Sequence, residues 1–188
     1  MIPPRATPFV LVALLSCARP TPPPDEATVR AQAQTSLAPF KAALKSELTA
    51  ALATGPEAAI DVCGSRAPAL AAQHSTGGVR VGRSSPKLRS AANAAPPWLV
   101  PVMAELAREP GGTPASRVTA LPEGRWGYAE AIWMQPPCLA CHGESLAPPV
   151  DAELRKRYPS DAARGYRAGD FRGVFFAEIE RAALAPKR

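Results

Sequence analysis

Hydrophobic positions in the first part of the chain recur every three or four residues. Between residues 27 and 54 the large apolar side chains are Val29, Leu37, Phe40, Leu44, Leu48 and Leu52. This spacing predicts a long amphipathic α-helix. Pro39 should break or kink it, because proline has no N–H to donate. A second helix is predicted over residues 56–73, with Pro56 at its first position and Cys63 on its inward face.

The pattern changes in the second half of the chain, where short runs of alternating apolar and small or polar residues predict β-strands. Strands are expected over residues 79–83, 117–121, 125–133 and 171–179, and further helices over residues 97–108 and 151–158. Asp161 should cap a short helix over residues 162–166. Helices first and an antiparallel sheet afterwards indicate the α+β fold class.

The first sixteen residues have the composition of a secretory signal peptide. One positive charge, Arg5, precedes an apolar run from Phe9 to Leu15. This run is far shorter than the roughly 20 apolar residues that span a membrane. Residues 1–16 are therefore predicted to be a signal peptide that exports the chain to the periplasm or cell envelope.

The residues around Cys17 refine this prediction. Leu14-Leu15-Ser16-Cys17 resembles a bacterial lipobox, in which the cysteine is lipidated and becomes the first residue of the mature protein. A proline-rich tether over residues 17–26 and a single domain over residues 27–188 would follow. An ordinary signal peptide with a chance cysteine, or an N-terminal anchor, is the alternative.

Composition and charge exclude some classes of partner. The 188 residues are 46% apolar and 20% charged, as expected for one domain with an ordinary core. The 22 Lys and Arg against 16 Asp and Glu give a net charge of +6, and the basic residues are scattered. Nucleic-acid binding is therefore not expected. Contact with a membrane is expected only through the lipid anchor.

The strongest chemical signal is a C-x-x-C-H motif formed by Cys138, Cys141 and His142. Two thiols one helical turn apart can each add to a vinyl group of a porphyrin, and the following histidine then lies beneath the iron. The motif predicts one covalently attached haem c. A structural zinc site or a redox dithiol is the alternative, although no second C-x-x-C is present to complete a zinc site.

Four side chains are candidates for the second axial ligand: His74, Met103, Met134 and Cys63. Met103 has the helical spacing of a core residue, Met134 precedes the motif too closely to reach the other face of the ring, and His74 ends a helix near a glycine turn. Cys63 is left without a disulfide partner once the other three cysteines are assigned. From the residues alone, a buried thiol and an iron ligand both stay open for Cys63.

Four segments together resemble a family of single-haem c-type domains with a PAS-like fold, typified by a cyanobacterial haem protein. They are AIDVCGSRAPALA, VRVGRSSPKLRSAANAAPPW, CLACHG and RYPSDAARGYRAGDFRGVFF, in the family's order. The C-x-x-C-H motif is shared with every cytochrome c. The second and fourth segments are specific to this family.

The resemblance implies a fold and a ligand set. The fold would be a PAS-like antiparallel sheet with long N-terminal helices and a covalently attached haem c. Cys138 and Cys141 would carry the porphyrin, and His142 and the Cys63 thiolate would be its two axial ligands. Among the shared residues, Arg83 and Arg89 are predicted to pair with the haem propionates, since a guanidinium matches a carboxylate. Two solvated surface arginines are the alternative.

The function expected from this reasoning is redox or small-ligand sensing, or low-potential electron transfer, at the cell envelope and without enzymatic activity. The partner would be a redox or signalling protein whose identity the sequence does not reveal. A peroxidase-like enzyme with an open iron site, or a non-haem metal-binding lipoprotein, is the alternative.

Overall fold

The structure, a computed structural model, describes residues 23–185, and its first element is the long helix α1, Glu26–Thr54. Asp25 caps this helix, because its carboxylate accepts a hydrogen bond of 2.7 Å from the backbone N–H of Thr28. The prediction of a long helix is confirmed. The predicted break is wrong, since α1 continues through Pro39.

The burial of α1 explains why the helix tolerates this proline. An internal proline costs about 3 kcal/mol in an isolated helix. Here it stands between Leu37 and Phe40, which are both fully buried. Each of these side chains contributes about 1.5–3 kcal/mol when it is fully buried, and this offsets the cost.

A second helical stretch begins directly after α1. Helix α2, Pro56–Asp61, passes through a π-helical turn over Val62–Arg66 into helix α3, Ala67–His74. The sequence pattern predicts this stretch as one helix, and its limits agree with the structure. The π-turn, in which the hydrogen bonds close over one extra residue, is not predicted by the pattern.

The sheet has four antiparallel strands, β1 (Val79–Ser84), β2 (Ser116–Ala120), β3 (Trp126–Trp133) and β4 (Phe171–Ile179). Their spatial order is β1-β4-β3-β2. All four lie within two residues of the predicted strands, so the α+β class and the antiparallel sheet are confirmed.

Helices cover both faces of the sheet. Side chains of α1 and α3 form one core with Val79, Val81, Tyr128, Ala177 and Ile179. Helix α4, Leu99–Leu106, forms a second core on the opposite face with Ala129, Val174 and Phe176. Alternation along β4 sends successive side chains to the two cores.

Two short helices complete the part that forms the site. Helix α5, Leu139–His142, carries the end of the C-x-x-C-H motif, and helix α6, Pro148–Arg157, packs against α2 through Ile60. The short helix predicted after Asp161 is absent. The Asp161 carboxylate instead accepts a hydrogen bond of 2.9 Å from the backbone N–H of Ala163. This contact forms an Asx-type turn, which competes with helix formation.

The predicted leader lies almost wholly outside the described residues. Signal peptide 1–16, the lipidated Cys17 and most of the tether 17–26 therefore stay predictions, as does the division into domains. Within residues 23–185, no helix has the length and apolar character needed to cross a membrane.

Candidate functional site

A cavity of about 410 Å³ lies beside the sheet, bounded by α1, α2, the π-turn, α5 and the neighbouring ends of β1, β3 and β4. This volume is within the range of about 300–1,000 Å³ that is typical of pockets for small molecules and cofactors. Much of its wall is apolar, formed by side chains that include Leu44, Leu48, Leu52, Ile60, Ile132 and Phe175. The cavity therefore suits a ligand with a large apolar body.

Cys138, Cys141 and His142 all line this cavity. A 3₁₀ turn over Pro136–Cys138 leads into α5, so the two cysteines lie one turn apart on the same wall. Burial raises the pKa of the Cys141 thiol. This cysteine is therefore protonated at neutral pH.

The His142 ring is held in one orientation. Its Nδ1 atom lies 2.7 Å from the carbonyl oxygen of Ala163. Because a carbonyl can only accept, Nδ1 carries the proton and the lone pair is on Nε2. The ring also stands edge-on to Tyr166, whose backbone N–H donates to the His142 carbonyl at 3.0 Å. Fixing the ring through Nδ1 is how proteins prepare a histidine whose other nitrogen ligates a metal.

Electrostatics keep His142 neutral. Burial, together with the nearby positive charges of Arg89 and Arg172, lowers the pKa of the imidazole to about 3. At neutral pH the ring is therefore the uncharged species that can ligate a metal ion.

Cys63 lines the same cavity and lies within the π-turn. The Arg83 guanidinium donates a hydrogen bond of 3.3 Å to the carbonyl oxygen of Cys63, which ties this turn to β1. Single π-turns inside α-helices occur frequently at functional sites. The fold thus brings Cys63 and His142, about 80 residues apart in sequence, to one cavity.

The residue after Cys63 is a glycine for a steric reason. A Cβ atom at Gly64 would lie less than 3.0 Å from the Tyr158 hydroxyl, which is closer than non-bonded atoms approach. Tyr158 directly follows α6, lines the cavity and packs against the cluster around Ile60. The glycine therefore allows the phenol to lie against the π-turn that carries Cys63.

Arg89 lines the cavity, but its guanidinium is occupied by protein groups. It forms an ion pair with Asp161 at 3.2 Å, and only 6% of its side chain and 1% of that of Asp161 are exposed. It also donates to the Cys141 carbonyl oxygen at 2.5 Å. Arg89 thus anchors the C-x-x-C-H segment, and its pairing with propionates stays a prediction.

Asp161 is ionised at neutral pH although it is buried. Burial alone would raise its pKa, but the N–H of Ala163 and the guanidinium of Arg89 donate to the carboxylate and hold its pKa below the usual range. Ala163 is also the residue whose carbonyl accepts from His142. One buried carboxylate therefore fixes the loop that orients the imidazole.

The other proposed axial ligands differ in position. Met134 lines the cavity, whereas His74 lies against Phe40 with 6.4 Å between ring centroids and Met103 is buried in the core around α4. Neither His74 nor Met103 contributes to the cavity wall. The interpretation of Met103 as a core residue agrees with this position.

Several cavity residues were not identified from the sequence. The basic side chains of Lys41, Lys45, Lys87 and Arg172 reach the cavity, as does Tyr158. The signal available for Arg172 was Gly173, because an isolated glycine in a strand pattern often marks a bulge. Within residues 23–185, no group of three or more His, Cys, Asp and Glu side chains is arranged to hold a metal ion by itself.

Comparison with known proteins agrees with the fold and with the resemblance of the motifs. A solved structure described as the "Crystal structure of the cyanobacterial heme-protein Tll0287" matches with a TM-score of 0.50 and 29% sequence identity. The match covers 63% of this chain and 69% of the other. No curated protein matches the sequence. The sequence model of the Tll0287-like family matches residues 26–179, which include the cavity and the whole sheet, and the chain therefore belongs to the Tll0287-like family.

Proposed function

We propose that this chain is a haem protein that attaches one haem c through thioethers to Cys138 and Cys141, with His142 and Cys63 as axial ligands. The proposal is supported by membership of the Tll0287-like family and by the description of the matching cyanobacterial structure as a heme-protein. When bound, the haem supplies an iron that takes up and releases one electron.

The observation that carries the proposal is the arrangement of one cavity wall. The C-x-x-C-H motif and Cys63 line the same apolar cavity, and the Nε2 lone pair of His142 is free because Nδ1 donates to Ala163. A single zinc ion would need four ligands and little space. The volume and the apolar lining fit a flat macrocycle better than a single ion.

The charges around the cavity also fit a haem. The wall carries six basic side chains, Lys41, Lys45, Arg83, Lys87, Arg89 and Arg172, and no Asp or Glu among the residues that the structure describes. A haem brings an apolar ring and two carboxylates, so it would match both the apolar and the basic parts of the wall.

The ligand set indicates the kind of function. An anionic sulfur ligand stabilises ferric over ferrous iron, so Cys63 with His142 would give a lower reduction potential than a His/Met pair. Two protein ligands would also leave no open position for a substrate. We therefore propose redox or small-ligand sensing, or low-potential electron transfer, rather than enzymatic activity. A lipoprotein anchored at Cys17 in the cell envelope would serve a redox or signalling partner there.

The test is to express the chain with a haem c maturation system and to record spectra of the purified protein. The pyridine haemochrome spectrum of the denatured protein reports covalent haem. The ferric and ferrous spectra of the native protein report its axial ligands. We expect one covalent haem per chain and a low-spin ferric spectrum that becomes high-spin in the Cys63→Ala variant.

Matched variants separate the ligands. His74→Gln removes a candidate ligand outside the cavity and should leave both spectra unchanged, whereas Met134→Leu tests the methionine on the wall. An unchanged ferric spectrum in Cys63→Ala would show that the thiolate is not a ligand. A wild-type protein without covalent haem would end the haem proposal. A high-spin wild-type iron that binds cyanide rapidly would instead favour the peroxidase-like enzyme.

A further inference from the structure

The backbone of β4 contains an irregularity at Arg172. Along the β3–β4 pair, Ile132 is opposite Gly173, but the next residue, Trp133, is opposite Phe171. Arg172 is therefore the extra residue of a β-bulge, with no partner on β3. Bulges of this kind occur next to functional sites, where they redirect a side chain.

The bulge decides which face of the sheet Arg172 occupies. Val174 and Phe176 pack in the core around α4, and strict alternation would place Arg172 on that face with them. With the bulge, Phe171 packs against the α4 core and Arg172 lines the cavity on the opposite face. The inserted residue thus moves a guanidinium from an apolar core to the cavity.

Gly173 makes the bulge possible. Its φ of 147° lies in a region that side chains with a Cβ rarely adopt. A Cβ at this position would also lie less than 3.0 Å from the carbonyl oxygen of Ser84 on the neighbouring strand. The Arg172-Gly173 pair is therefore a unit in which the glycine sets the direction of the arginine.

The surroundings of Arg172 provide no negative charge. Its guanidinium contacts the Ser85 hydroxyl, the Lys87 carbonyl oxygen at 3.4 Å and the face of the Tyr166 ring at 5.5 Å. No carboxylate of residues 23–185 lies within 4.0 Å of it. Burial lowers its pKa, and the charges of Arg83 and Arg89 act in the same direction.

Arg83 and Arg89 differ in whether their charge is balanced. Arg89 is paired with the buried Asp161. Arg83 donates to a carbonyl oxygen and, within the described part of the chain, forms no ion pair. The cavity therefore holds two arginines whose charge no neighbouring carboxylate balances, Arg83 and Arg172. A buried cation is stable when it gains an anionic partner.

We propose that Arg172, together with Arg83, binds the carboxylate groups of the ligand in this cavity, and that Arg89 is a structural residue. This inference rests on the proposed function, under which the carboxylates are the two haem propionates. The sequence predicts that Arg83 and Arg89 bind the propionates. In the pair proposed here, Arg172 takes the role of Arg89, and the bulge is what places Arg172 in the cavity.

The test compares a porphyrin that has carboxylates with one that lacks them. The full chain is produced without haem, and binding of protoporphyrin IX and of its dimethyl ester is measured by fluorescence. Iron-free porphyrins report the carboxylate contacts without axial ligation. A charge-assisted hydrogen bond contributes about 1.5–3 kcal/mol. Loss of this contact corresponds to a decrease in affinity of roughly 10-fold to 100-fold.

We expect the wild type to prefer the free acid by at least this factor. Arg172→Gln should reduce the preference by roughly 10-fold to 100-fold, keep the part that Arg83 contributes, and bind the ester as the wild type does. Arg172→Lys keeps the positive charge but lacks the two-pronged donor geometry of the guanidinium, so it should retain part of the preference for the free acid. Arg80→Gln, a matched control at an exposed arginine paired with Glu178, should keep the full preference.

Two results would overturn the inference. One is that the wild type binds the acid and the ester with equal affinity. The other is that Arg172→Gln lowers the affinities for acid and ester to the same extent, which is the result that a purely structural role predicts. The haemochrome experiment on the matured protein is independent. If it shows no covalent haem while Arg172→Gln reduces the preference for the acid, then the haem c proposal fails and the carboxylate site stands.

Discussion

Gly64 offers a quantitative test of the contact between the π-turn and Tyr158. In Gly64→Ala the new Cβ would lie less than 3.0 Å from the Tyr158 hydroxyl, and overpacking of this kind costs about 1–3 kcal/mol. Alanine in place of glycine within a helix returns about 1 kcal/mol. The single variant should therefore be destabilised by about 0–2 kcal/mol.

Tyr158→Phe removes the oxygen that clashes. The nearest ring atom, Cζ, would then be 3.3 Å from the new Cβ, a distance that small shifts can accommodate. In this background Gly64→Ala should be neutral or stabilising by up to about 1 kcal/mol. The two substitutions should therefore show a coupling energy of about 1–3 kcal/mol in a double-mutant cycle.

The assay is urea unfolding of the wild type, both single variants and the double variant, all produced without haem and followed by circular dichroism. Equal m-values across the four proteins would show that the free energies of unfolding are comparable. A coupling energy below about 0.5 kcal/mol would mean that the substitutions are additive, and the steric account of Gly64 would be refuted.

Three further predictions concern the loop and the bulge. Asp161→Asn leaves the Arg89 charge uncompensated in a buried position and should lower the free energy of unfolding by about 3–5 kcal/mol in urea titrations. In the haem-free protein, His142 has a pKa of about 3 when folded and about 6.5 when unfolded. The unfolded chain therefore binds more protons between these values, and stability should fall as the pH is lowered through this window, with a shallower slope in His142→Gln. Gly173→Ala should cost more than about 1 kcal/mol of stability and reduce the preference for the free-acid porphyrin, because its Cβ would meet Ser84 and the bulge that directs Arg172 into the cavity would be lost.

Much of the fold follows from local patterns. The apolar periods predicted α1, the helical stretch that follows it and all four strands, because each element buries one regular face. Pro39 misled the prediction, since tertiary burial of Leu37 and Phe40 outweighs a local propensity. Asp161 misled it in another way, because its side chain pairs with a distant arginine that the local sequence does not reveal.

The site is less accessible to sequence reasoning than the fold. The C-x-x-C-H motif is contiguous, and the motifs of the family indicated Cys63, Arg83 and Arg89 as well. Which arginine has an unbalanced charge depends on contacts between distant segments. Asp161 neutralises Arg89 across about 70 residues, and a one-residue irregularity in strand pairing turns Arg172 into the cavity. Neither fact is contained in a local pattern.

The π-turn at Val62–Arg66 changes the phase of the helical stretch in which it lies. One residue of an α-helix corresponds to about 100° of rotation, so an inserted residue turns everything after it to a different side. Before the insertion, Ile60 faces α6, and after it, Ala67 and Leu70 face the sheet. One nearly continuous helical stretch thus contributes side chains to two separate cores. Cys63 lies in the turn that joins the helix packed against α6 to the helix packed against the sheet, so the position of its backbone depends on both cores.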